Sequence, residues 1–134
     1  MVWATMLGSL VIYAVVCAVV VGVAAAAPAA AVSVRYGLSV VGIAFGALSL
    51  WWRRYFLATD PASPAPLTFA QLQSHAVIVW ALSEVVGICG LLTALTLNDA
   101  REYLPFGAAA AALLLLHRPS NLPWARCVTT KGLV

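Results

Sequence analysis

Apolar residues fill this chain in long blocks that are broken at only a few points. Predominantly apolar stretches cover about residues 3–27, 36–56, 75–97 and 100–117, counting the flanking aromatics and border residues. The first 34 residues carry no charged side chain, and between residues 61 and 98 the only one is Glu84. A hydrocarbon core about 30 Å thick is crossed by roughly 20 helical residues. The first and third stretches reach that length easily. The second needs its aromatics and the snorkelling of Arg53 and Arg54, and the fourth is the shortest. The pattern predicts an all-α integral membrane protein, a single membrane domain over residues 1–134 with four transmembrane helices in a small bundle. A loop at 57–74 holds three prolines within six residues, which stop the second helix. The tail, 118–134, is polar and broken by proline.

Composition agrees with a lipid exterior. The chain has 134 residues, 64% hydrophobic and 8% charged, and a mean hydropathy of +1.03. Soluble domains carry about 25% charged residues. Orientation follows from lysine and arginine. With four crossings, Arg53, Arg54, Arg118, Arg126 and Lys131 share one side, against Arg35 and Arg101 on the other. The positive-inside rule then places both termini in the cytoplasm, with the cell inner membrane as the expected location. Trp3, Tyr36, Trp51, Trp52, Tyr55, Tyr103 and Trp124 lie near the proposed borders, as amphipathic rings prefer, whereas Trp80 lies one helical turn before Glu84. The stretch "AAAAPAAA" offers small residues to a signal peptidase, but the preceding segment has no basic start and is too long for a cleaved signal. It is expected to remain as an anchor.

Several classes of activity drop out. Cys17, Cys89 and Cys127 have no metal spacing and read as small apolar fillers without a disulfide. His75 and His117 sit at span ends and mark borders. No Ser/His/Asp set, HExxH or phosphate loop is present, so no enzyme, cofactor or metal is expected. The net charge of +3 is loop asymmetry, and no basic patch interleaved with aromatics suggests nucleic acid. The expected partners are the lipid bilayer and other membrane subunits or further copies of the chain.

In lipid, small residues mark where helix backbones approach. Ser83, Gly87, Gly90 and Ala94 form one stripe on the third span, and Ser39, Gly42, Gly46 and Ser49 form one on the second. Ala14, Ala18, Gly22 and Ala26 repeat every four residues in the first. The economical arrangement makes helices 2 and 3 a close-packed antiparallel hairpin.

Glu84 lies beside that stripe, near the middle of the third span. An ionised carboxylate in mid-bilayer costs about 2.5–3.5 kcal/mol or more, and no lysine or arginine lies in the interior of a span, away from its borders, to pair with it. Desolvation favours the neutral acid, so Glu84 is expected to bind a proton, with Ser83 or a backbone carbonyl accepting its hydrogen bond.

The segment "ALSEVVGICGLLTALTL" resembles the carboxylate-bearing helix of the rotor ring subunit c, or proteolipid, of rotary ATP synthases and ATPases. Glu84, Gly87 and the step Cys89-Gly90-Leu91 carry the likeness, followed by an apolar run to Leu97. The order of small-residue helix, Arg53-Arg54, Pro61 and Gln71 matches the family's first helix and polar loop, so the likeness covers about residues 36–97. It implies that Glu84 is loaded from one half-channel and released beside a partner's arginine. It favours a proton over sodium, because Val85 follows the carboxylate and the second span has no glutamine. The chain differs from the family in its extra helices before and after the hairpin and in its sparser glycines. Two other readings stay open. One is an accessory subunit of a membrane complex, with Glu84 as a protonated hydrogen-bond donor. The other is a small proton-coupled exporter of lipophilic cations, with Trp80 supplying an aromatic face.

Overall fold

The computed structural model describes residues 2–21, 29–57 and 68–122. Expectations that fall on 22–28, 58–67 and 123–134 lie outside the described residues: Gly22, Ala26, Cys127, most of the proline-rich loop and most of the tail. Everything regular among the described residues is helical. The order is α1 (Val2–Val20), α2 (Ala29–Phe56), α3 (Phe69–Leu97), a 3-10 turn (Ala100–Glu102), α4 (Tyr103–Leu116) and a last 3-10 turn (Pro119–Asn121). Three helices are long and apolar enough to cross a membrane: Val2–Val20, Val32–Phe56 and Phe69–Leu97. With 14 residues, α4 is about 21 Å long.

Two boundaries differ from those expected. α2 begins at Ala29 rather than near 36, because alanine-rich sequence propagates a helix readily and Arg35 finds a partner within reach, Glu102 at 3.2 Å. α3 begins at Phe69 rather than 75, so the last part of the expected 57–74 loop is helix. Its start is set by a capping box: Gln71 donates its backbone N–H to the Thr68 hydroxyl at 3.2 Å, and Thr68 N–H donates to the Gln71 side chain at 3.0 Å. The first three turns of α3 extend past the start of α1, and Leu72, Ala76 and Val79 are buried in a common core with Leu57 and Leu122.

The far end of α3 closes on Asn98 at φ 51° and ψ 38°, a left-handed cap that asparagine and glycine tolerate and other side chains resist. Asp99 then accepts from Arg101 N–H at 2.9 Å, and the chain turns directly into α4. Asn98→Gly is expected to keep stability, whereas Asn98→Val should lose about 1–2 kcal/mol; denaturation of the purified variants in detergent would measure the difference.

α3 is the axis of the bundle, and its buried residues face all three other helices. Gly42 of α2 lies opposite Cys89, and Gly46 lies opposite Val86, so α2 runs antiparallel to α3. The glycines of α3 itself serve other neighbours. Gly87 receives Leu10 of α1 and Ala110 of α4, and Gly90 receives Phe106 and Tyr103 of α4. Ala94 is buried with Cys17 and Tyr103. Ser49 is buried and turns its hydroxyl back to Gly46 O at 2.8 Å, and Ser39 is half-buried on the side facing α4.

Candidate functional site: a carboxyl between the first and third helices

Leu10 meets Gly87 and Cys17 clusters with Ala94, so a step of seven residues on α1 matches a step of seven on α3 and the two helices run parallel. This register brings the polar face of α1 against Glu84. Thr5, Ser9 and Tyr13 are the hydroxyl-bearing residues of α1, spaced by four, and therefore share one helical face. Ser9 Oγ lies 2.5 Å from Glu84 Oε1, and Tyr13 OH donates to the same oxygen at 3.1 Å. Ser9 Oγ also lies 2.7 Å from Met6 O, one turn back in its own helix. Glu84 is half-buried, and the one ion pair among the described residues, Arg35–Glu102, is elsewhere.

Counting protons shows what this cluster can do. Three close polar contacts converge on it: Ser9 with Met6 O, Ser9 with Glu84, and Tyr13 with Glu84. A hydroxyl carries one donor hydrogen, so Ser9 and Tyr13 together supply two. With Glu84 ionised, Ser9 must choose between the carboxylate and Met6 O. With Glu84 protonated, the carboxyl donates to Ser9, Ser9 donates to Met6 O, and Tyr13 donates to the carboxyl. All three contacts are then satisfied at once. The same atoms accommodate the ionised acid when Ser9 turns its hydrogen toward it.

Ser83 does not join this cluster, contrary to the sequence expectation. It points into the core, donates to Val79 O at 2.8 Å and lies 3.3 Å from His117 Nδ1. One residue along a helix is about 100° around it, which turns Ser83 toward α4 while Glu84 faces α1. His117 is 1% exposed, so it is a core residue rather than a border marker. Trp80 is also committed: its indole N–H donates to His117 O at 2.7 Å and its ring is buried, leaving no open aromatic face beside Glu84. His75 does sit among rings, stacked on Phe56 at 4.7 Å between centroids.

This second polar group ends α4. The last carbonyls of a helix have no partner within it. Here Trp3 of α1 donates to Leu114 O at 2.7 Å, Arg53 of α2 to Leu116 O at 3.1 Å, and Trp80 of α3 to His117 O. Asn121 adds a second donor to Leu116 O at 3.2 Å. At the opposite end Tyr103 donates to Leu10 O at 2.8 Å. Among the described residues no group of histidine, cysteine and acidic side chains is placed to hold a metal.

Sequence reading missed Ser9 and Tyr13. The signal available was their four-residue spacing in a helix otherwise almost free of polar groups. No protein-family model, curated protein or solved structure matches the chain.

Proposed function

We propose that this protein is a small multi-pass membrane protein in which Glu84, Ser9 and Tyr13 hold an exchangeable proton within the bundle. The observation that carries the reading is the proton count at Ser9: its single hydrogen is contested by Met6 O and Glu84, and an acid proton on Glu84 resolves the contest. An intramembrane carboxylate without an ion pair is by default a candidate functional site.

The membrane frame supports this placement. Arg35, paired with Glu102, and Arg53, bonded to Leu116 O, are eighteen residues apart on α2. That is about 27 Å along a helix, close to a hydrocarbon core of about 30 Å. α4 begins beside Glu102 and ends at Leu116, so it covers the distance between the two levels, and α2 and α3 run on beyond it. In our reading α4 is the fourth crossing, α2 and α3 form the antiparallel hairpin, and both termini are cytoplasmic. Glu84 then lies about one turn inside the Trp80–His117 level, nearer the cytoplasmic border than the mid-plane.

Both partners of Glu84 come from its own chain, which favours a self-contained proton site over a rotor protomer that presents its carboxylate to a neighbour. The likeness to subunit c then concerns the local helix, and the wider assembly is a matter of what surrounds the bundle. The second reading, an accessory subunit, rests on the same bonds seen as a clamp of α1 on α3. An exporter finds less support, because the groove described below is lined by neither Glu84 nor Trp80.

A hydrophobic carbodiimide at mildly acidic pH should modify one site, and Glu84→Gln should abolish the modification while α1 stays docked. Tyr13→Phe removes a donor that is worth more to a carboxylate than to a carboxyl, and should raise the labelled fraction. A chain that resists labelling throughout the acid range would leave the clamp alone standing.

A further inference from the structure

α2 and α4 both pack on α3 and meet each other where Phe106 and Leu113 of α4 reach Gly42 and Gly46 of α2. Between them runs a groove of about 700 Å³. Gly42, Gly46 and Ala47 form one wall, Ala109 and Ala112 the other, and Val86 the floor. Phe106 and Leu113 fill the space next to Gly42 and Gly46, and the alanines leave the remainder open. One end is different in kind: Arg35 and Glu102 line it, joined by their ion pair.

We propose that this groove binds a membrane phospholipid with a zwitterionic headgroup. One acyl chain lies along the groove, the phosphate sits on Arg35, and the ammonium sits beside Glu102. The chemistry matches at both ends. From Arg35 to Leu50 the groove wall is about 22 Å long, more than the roughly 15 Å half-thickness of a hydrocarbon core, so it receives a whole acyl chain. The ion pair uses the Arg35 Nε, and the guanidinium has four further N–H donors on its terminal nitrogens. Its side chain is 53% exposed and Glu102 is 19% exposed, so both remain reachable. Guanidinium binds phosphate oxygens in a two-pronged fashion. Because the pair is neutral as a whole, a headgroup carrying both signs complements it better than a bare anion. A second copy of the chain is a poorer occupant. The exposed alanines of α1, Ala14 and Ala18, lie on a helix with no charged side chain to meet Arg35 and Glu102, and the exposed alanines of α2 and α4, Ala47, Ala109 and Ala112, already line the groove itself.

Native mass spectrometry of the full chain, purified in detergent, delipidated and then offered single lipids, tests this. Phosphatidylethanolamine should be retained at one per chain under activation that strips looser lipid. Diacylglycerol, which lacks the phosphate, and free phosphoethanolamine, which lacks the tail, should not be retained. Arg35→Gln should lower the retained fraction roughly tenfold. Ala47→Phe and Ala112→Phe fill the groove from exposed wall positions, outside the packed core, and should abolish retention. Equal retention of diacylglycerol, preference for phosphatidylglycerol, or retention unchanged in both phenylalanine variants would overturn the proposal. So would a dimer mass that Ala112→Phe removes, which would give the groove to a second copy.

Discussion

Gly90→Ala is expected to destabilise the bundle by about 1–3 kcal/mol, and Gly87→Ala by distinctly less. The two glycines look alike in sequence, three residues apart on one stripe. A Cβ at Gly90 would stand 2.4 Å from Phe106 Cβ and 3.1 Å from Phe106 Cγ. Those atoms are at the root of their side chain and cannot move without α4 moving. A Cβ at Gly87 would also come within 2.4 Å of a neighbour, but there the atom is Leu10 Cδ2, the free end of a flexible side chain, and the next contact, Ala110 Cβ, is at an ordinary 3.5 Å. Leu10 can change rotamer; Phe106 Cβ cannot retreat. Unfolding both variants by titrating denaturing into mild detergent would measure the order. Equal losses would mean that α4 is not seated as described.

Trp80→Phe should cost about 1–3 kcal/mol through one buried carbonyl left without a donor, and further through the space vacated by the smaller ring. Trp80 is 7% exposed and its indole N–H is the side-chain donor to His117 O. The bond is buried, so the carbonyl is shielded from outside donors. Trp3→Phe makes the informative contrast. Trp3 donates to Leu114 O in the same way, but the bond is only part-buried and lies at the start of α1, so its loss should be the smaller of the two. The same unfolding titration reads both. A Trp80→Phe variant as stable as the parent would show that the end of α4 is satisfied by other means.

Much of this architecture was legible in the chain. Three long apolar stretches became three long helices, because apolar runs of that length, with charges confined to Glu84 and to the helix borders, have few alternatives. The boundaries near Ala29 and Phe69 were harder, since they depend on an ion pair across the bundle and on a two-residue capping box rather than on hydropathy. Glu84 stood out as a lone acid in an apolar block. Its partners did not, because the register of α1 against α3 is set by Leu10 entering the notch at Gly87, a fact of packing that no local pattern states. Ser83 looked like the natural partner by adjacency, yet adjacent residues on a helix face different neighbours. His117 was read as a border residue from its position at the end of an apolar run; its burial follows from how far α4 reaches along α3.

The way α4 is finished bears on how the bundle holds together. Its final carbonyls are served by an indole from α1, a guanidinium from α2 and another indole from α3, so no single neighbour completes it. Without those neighbours the carbonyls of Leu114 and His117 would lose these donors. Completing that end therefore draws on all three neighbours at once, and α4 acts as the clasp that closes them.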